Sequence, residues 1–269
     1  LLTTGERVSA ALLAIALDHL GIKAISLTGS QSGILTDSVH TNARIRDIRP
    51  VRLFEALTSC RVLIIAGFQG VDPQTKEITT LGRGGSDLTA VALTHALGAD
   101  MCEIYTDVSG IFSADPRLVP TARPVPKLGW TATSVLAWTG AKVLHHRSAH
   151  LARKFQIPLT IKSSFSPDEP GTLVTHESDM ETPTILALSH EKDLTLVTCT
   201  GHDLTRQLLL CVSQHDGVPR LLIAMRTGNG MAYTLLVPTR LVTDLRTIVV
   251  DTNGTFSVNT SQNIATLSN

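Results

Sequence analysis

Residues 61–66 read Arg-Val-Leu-Ile-Ile-Ala and run straight into Gly67-Phe68-Gln69-Gly70. A strand apolar on both faces must be covered on both, which places it inside an α/β sheet rather than in a half-wetted antiparallel one. Residues 24–27, 102–106 and 157–163, the last with Pro158 near its start, carry the same strand signal. Helical periodicity alternates with them. Val8, Ala11, Leu12, Ile15, Ala16 and His19 share one face before the stop at Gly21, residues 87–97 close on Gly98, and a third segment spans about 134–154. The apolar stripes of the first two helices are assigned to the core. Alternation of this kind predicts an α/β fold with helices on both faces of a mostly parallel sheet, and ligands at the carboxyl ends of its strands. Glycine and small polar residues cluster at those ends.

A change of rhythm follows. Residues 167–183 are polar and proline-bearing, and beyond them strands, helices and a Gly228-Asn229-Gly230 turn follow in β-α-β-β-α-β order, which predicts a small ferredoxin-like α/β unit. The chain therefore divides into a domain over 1–174, a linker over 175–183 and a second domain over 184–269.

Charge narrows the partners. The 269 residues carry 23 basic and 23 acidic side chains, so no broad electrostatic grip on nucleic acid or anionic lipid is expected. No apolar run is long enough to span a membrane. Cys60, Cys102, Cys199 and Cys211 show no metal or disulfide spacing and read as reduced thiols, which points to the cytoplasm.

The segment richest in chemistry is Thr79-Thr80-Leu81-Gly82-Arg83-Gly84-Gly85-Ser86-Asp87, which opens directly into a helix. Its glycines let the backbone approach an anion, Arg83 offers a planar fork, and Ser86 or Asp87 can cap the helix. Neither a Walker loop nor a dinucleotide fingerprint is present. A second cluster runs from Tyr105 through Thr106, Asp107, Gly110 and Phe112 to Arg117, with Asp107 just past a strand end. Turn formation explains these residues as well as ligand binding does. Lys142 lies near a helix start. Glu6 lies in a first helical turn, where the helix dipole alone would favour a carboxylate. His146 and His150 share a helix face but have no third ligand at metal spacing, so no metal site is assigned.

In combination, LLTTGERVSAALLAIAL, TGSQSG, GFQG, TTLGRGGSD, YTDVSGIFSADPRLVP, TGAKVLH and IKSSF…GTLV resemble the aspartate kinases of the amino-acid kinase superfamily, in family order over residues 1–174. The resemblance implies a three-layer amino-acid kinase sandwich followed by a regulatory ACT-like domain. It also implies phosphorylation of the L-aspartate β-carboxylate with ATP and Mg²⁺, a step towards lysine, threonine and methionine. By resemblance, Glu6, Arg83, Gly84, Gly85, Ser86 and Asp87 frame aspartate. Thr106, Asp107, Phe112, Arg117 and Lys142 hold the nucleotide, and Lys142 and Asp87 act in the chemistry. A homodimer or higher homo-oligomer is implied, with lysine or threonine as the family's effectors.

Three departures stand out. The family's opening Lys-Phe-Gly-Gly-Thr-Ser strand and loop, with its phosphate-touching lysine, is not in this sequence. Gly129-Trp130-Thr131-Ala132-Thr133-Ser134 replaces an acidic stretch, and 184–269 holds room for one ACT-like domain rather than two, with Thr200-Gly201-His202-Asp203 in place of the usual Pro-Gly effector turn. A degenerate homologue that binds an amino acid or nucleotide without turnover is the rival reading.

Overall fold

The computed structural model describes residues 1–141, 143–176, 186–201, 204–214, 221–228, 230–252, 254–259 and 265–268. Two compact units emerge, one of Leu1–Leu188 with Ser268–Asn269 and one of Ser189–Leu267. Ala187 is buried in the core of the first unit and the Leu188 amide donates to the Ser113 carbonyl at 2.8 Å, so the chain leaves that unit only after Leu188. The sequence reading had begun the second domain at 184.

The first unit contains α1 (Leu2–His19), β1 (Ala24–Thr28), β2 (Ile34–Thr36), β3 (Ile45–Ile48), α2 (Val51–Leu57), β4 (Val62–Ala66), β5 (Gln69–Val71) and β6 (Ile78–Thr80). It continues with α3 (Gly85–Leu97), β7 (Cys102–Thr106), β8 (Lys127–Gly129), α4 (Trp130–Trp138), α5 (His146–Phe155), β9 (Leu159–Ser163) and β10 (Thr172–Thr175). β1 pairs in parallel with β4, in a register that sets Thr28 opposite Ala66. The loops that leave these two strands therefore start side by side. A second sheet has the order β7-β9-β10-β8, and a third the order β3-β2-β5-β6. Pairing is mixed: β7–β9, β8–β10 and β2–β5 are parallel, while β9–β10, β2–β3 and β5–β6 are antiparallel. Short hairpins, whose strands are too brief to show a period, account for the antiparallel share.

Two helical expectations are corrected. The single segment expected over 134–154 is two helices, because Gly140 takes φ +107° and His145 turns extended before α5 begins. In α1 the phase is shifted: Ala10 is buried and Ala14 and Leu17 are half-buried, while Val8, Leu12 and Ile15 stand exposed. Alanines let a helix approach a sheet closely. The bulkier stripe, though correctly periodic, faces away from β1 and β4.

Apolar side chains from α3, α4, α5, β7 and β9, among them Val91, Ile104, Leu136, Ala149, Leu159 and Ile161, form the largest core of this unit. Leu27, Ile34, Leu53 and Leu93 form another beneath β1 and β2.

The chain then continues through β11 (Ala187–His190), β12 (Leu194–Gly201), α6 (Thr205–Gln214), β13 (Leu221–Thr227), β14 (Gly230–Pro238), α7 (Val242–Asp251), β15 (Thr255–Asn259) and β16 (Ala265–Ser268). From β12 to β15 the order is β-α-β-β-α-β, in an antiparallel sheet ordered β13-β14-β12-β15. Val197, Leu208, Leu235, Leu245 and Val249 bury its apolar face, and the buried Tyr233 keeps its hydroxyl satisfied against Thr205 Oγ1 at 2.7 Å. Gly201 is described; the adjoining His202 and Asp203, and Asn229 of the expected turn, lie outside the described residues.

Candidate active site

Three loops converge at the carboxyl ends of β1 and β4. β5 and β6 pair Gln69 with Thr80, and the Leu81 amide donates to the Phe68 carbonyl at 2.9 Å, which brings the segment leading to Arg83 against the turn after β4. Phe68 itself holds φ +68°, a rare backbone for a bulky residue, and its amide donates to Thr89 Oγ1 at 3.1 Å. Gly29 passes so close to the Gln69 backbone that any side chain there would overlap it. Arg7 reaches across from α1 and donates through Nε to Gln69 Oε1 at 3.0 Å. The buried Nε2 of Gln69 has no partner among the described residues.

The N-terminus of α3 is the electrostatic centre. Its N-cap is Gly84, at φ +67°, and no side chain caps the helix. Ser86 and Asp87 lie inside the first turn, which corrects the expectation that either would be the cap. The positive end of the helix is thus presented between Arg83 and Ser86, both exposed. Gly85 is buried, and a Cβ there would press on Leu81 and Phe68. Asp87 accepts the His145 amide, yet burial dominates and pushes its carboxyl above the ordinary aspartate range. His145 is also the N-cap of α5: its Nδ1 accepts the Arg147 amide at 3.4 Å. The Arg147 guanidinium donates to the carbonyls of Leu81 and Ala43 and to Asn42 Oδ1, at 2.5, 2.8 and 3.0 Å. His145 and Arg147 thereby tie α5 to the loop.

The second predicted cluster sits at the end of β7. Thr106 Oγ1 donates to Asp107 Oδ1 at 3.1 Å, and the Thr106 carbonyl accepts both the amide and the hydroxyl of Ser164. Gly110, at φ +126°, lies against Thr172, whose hydroxyl takes the Ile111 amide at 2.8 Å. Phe112 bridges to Pro124. Arg117 is 81% exposed and folds back on Asp115 at 2.9 and 3.0 Å, rather than reaching towards Thr106. Glu6 is exposed in the second turn of α1, not the first as expected. Lys142 lies outside the described residues. Among the described residues, no group of three or more His, Cys, Asp or Glu side chains is placed to hold a metal, and no helix is long and apolar enough to cross a membrane.

Residues 1–163 match the model of the amino acid kinase family. The chain belongs to that family. Within the amino acid kinases it is 50% identical over 204 residues to the aspartokinase of Mycobacterium tuberculosis H37Rv, a match that covers 75% of this chain and 48% of the relative. It is 49% identical over 202 residues to the aspartokinase of Geobacillus stearothermophilus, again covering 75% of this chain and 49% of the relative. The chain spans about half the length of the curated relatives it matches. The structure of E. coli aspartokinase III in complex with aspartate and ADP superposes with a TM-score of 0.76 at 25% identity, over 94% of this chain and 60% of that one.

In this amino acid kinase the sequence reading singled out Arg83–Asp87 and Thr106–Asp107, and the structure sets Arg7, Phe68, Gln69, His145, Arg147 and Thr172 around them, contacts the sequence reading did not single out. Arg7 stands beside Glu6 and was overlooked for it. His145 and Arg147 follow the Gly-Ala-Lys segment directly, and their cap and carbonyl contacts become legible only once α5 is known to begin at His146.

Proposed function

We propose that this chain carries out the chemistry of an aspartate kinase, transferring the γ-phosphoryl group of ATP to the β-carboxylate of L-aspartate. The observation that carries the reading is the uncapped N-terminus of α3, headed by Arg83, in a chain half identical to aspartokinases over 204 residues. A carboxylate seeks such a place, since helix amides and a guanidinium fork both favour it. Glu6, on α1, would meet the α-ammonium of the amino acid. Gly84 and Gly85 admit the ligand by carrying no side chain.

The β-carboxylate is ionised at neutral pH, so attack on phosphorus needs no general base. The residues must instead align two anions and screen the charge that builds on the transferred group. Thr106 and Asp107, at the end of β7, offer a hydroxyl and a carboxylate to the nucleotide, with Phe112, Arg117 and Lys142 as its further contacts. Arg117 would have to leave Asp115 to reach it. Asp87, raised by burial, keeps an acidic group beside the reacting carboxylates, and Lys142 would face the phosphates. An exposed carboxylate with a neighbouring hydroxyl suits Mg²⁺, which keeps most of its ligands from phosphate and water. Asp107 is the residue that would hold it, and the ion supplies charge neutralisation on the phosphates. The unit from β12 to β15 would serve as a single ACT-like regulatory domain, with a homodimer or higher oligomer as the assembly; with Thr200-Gly201-His202-Asp203 in place of the Pro-Gly effector turn, lysine or threonine is not assigned as its effector. Free thiols fit a reducing, cytoplasmic setting.

Trapping the acyl phosphate as a hydroxamate, from ATP, Mg²⁺ and L-aspartate, tests this reading. Arg83→Ala should raise the KM for aspartate about tenfold or more while sparing nucleotide affinity. Folded protein that binds nucleotide but yields no hydroxamate would establish the rival, binding without turnover.

A further inference from the structure

A groove of about 1050 Å³ opens on the first unit between β3, α3, α4 and α5, apart from the residues assigned to aspartate and nucleotide. Its walls are chiefly apolar: Ile45, Ile48, Leu88, Val135, Trp138 and Leu151 line it. Two aromatic pairs stand in those walls. His95 stacks on Phe155 at 3.7 Å and 14°, and Trp138 meets His146 edge-on at 5.3 Å and 88°.

The charge around this groove is lopsided in a chain whose formal charge is zero. Arg44, Arg46, Arg147, Arg153 and Lys154 line it, against one acid, Asp47. Asp47 is taken by Arg49 at 3.1 Å, and Arg46 by Asp37 at 3.2 Å. Arg147 is spent on backbone carbonyls. Among the described residues, the side chains of Arg44, Arg153 and Lys154 have no carboxylate partner, and Lys154 Nζ lies 5.1 Å above the Phe155 ring. A concave apolar body with unpaired cations at its mouth selects an amphipathic anion, and its volume is at the upper end of the range for small-molecule sites. A second copy is disfavoured, because a two-fold contact would set the basic rim against itself.

We propose that this groove is a binding site for a small anion with an aromatic body, such as an aryl carboxylate or sulfonate. The apolar walls take the ring system, and Arg44 and Arg153 take the charge. Arg147 is shared between the groove and the strand leading into the Arg83 loop, so an occupant would rest on the same wall that supports the active site. The site is independent of the kinase reading, since neither aspartate nor nucleotide is needed to fill it.

The test is a fluorescence titration of the 269-residue chain with anilinonaphthalene sulfonate, in the absence of ATP and aspartate. One saturable site per chain is expected, weakened about tenfold or more by the double substitution R44E/R153E and by Ala96→Trp, which fills the groove from α3. Neutral phenylnaphthylamine should bind more weakly than the sulfonate. Unchanged sulfonate affinity in variants with native circular dichroism would overturn the proposal, as would equal affinity for the neutral dye. A wild-type dimer that R44E/R153E dissociates in sedimentation would assign the groove to a second copy and likewise overturn it. If R44E/R153E fails to fold, Ala96→Trp, which leaves the charges in place, decides the question.

Discussion

Gly84 and His145 are packed backbone to side chain: a Cβ placed on Gly84 would overlap Cβ and the ring of His145. The first is the N-cap of α3 and the second the N-cap of α5. Two helix N-termini that arise 61 residues apart in the chain are thus held against each other by the absence of one side chain. The same histidine gives its amide to Asp87. The N-terminal end of α3 is fixed from behind by α5, not by a side-chain cap of its own.

Gly84→Ala should therefore fail twice, through a left-handed φ of +67° and through the overlap with His145. The combined cost is about 2–4 kcal/mol, and a melting temperature lowered on the order of 10 °C is expected by calorimetry. Phosphotransfer to aspartate should fall further than ATP affinity. A variant as stable as the parent would show that the two helices are not in contact in solution.

Asp87 gives a pH signature. Burial raises its carboxyl above the ordinary aspartate value of 3.8, so the folded chain binds that proton more tightly than the unfolded chain does. Its stabilising contribution is full below the ordinary value and is lost as pH rises through the raised one. Asp87→Asn should accordingly melt at the same or a higher temperature than the parent at pH 7, with the difference shrinking towards pH 4. The reverse trend in a pH series of melting curves would refute the assignment.

The thiols should separate by reactivity. Burial raises Cys102 and Cys211 and pushes Cys199 up to about 11, whereas Cys60 is only half-buried. At pH 8 only about one in a thousand Cys199 side chains is a thiolate. A disulfide-exchange reagent should modify Cys60 first, and the other three on unfolding.

The orientation of α1 can be tested by a pair of substitutions. Leu12, 61% exposed, should tolerate Gln within about 0.5 kcal/mol. Ala10, 6% exposed against β1 and β4, should lose about 1–3 kcal/mol on replacement by Leu. Urea unfolding of both variants distinguishes the observed face from the one periodicity suggested.

Much of the molecule follows from sequence alone. The strand at 102–106 begins and ends where its residues predict, β4 is the doubly apolar run at 62–66, and the β-α-β-β-α-β order after residue 193 is plain in the spacing. Local chemistry is sufficient there: β-branched and apolar runs, glycine stops and an arginine among glycines are each readable within a few residues. The glycine-rich loop at 79–87 and the turn-rich segment at 106–117 were legible for the same reason.

Tertiary structure alone decided the rest. Periodicity gives the spacing of a helical stripe but not which of two stripes meets the sheet, so Ala10 rather than Leu12 lies inward only because β1 and β4 are where they are. It likewise cannot show that 134–154 breaks at Gly140, that Arg117 turns to Asp115, or that Arg147 reaches carbonyls 66 and 104 residues away. The contacts of Arg147 depend on loop closure between distant segments, whose free energy is set by the whole packed arrangement and leaves no trace in any short window of sequence.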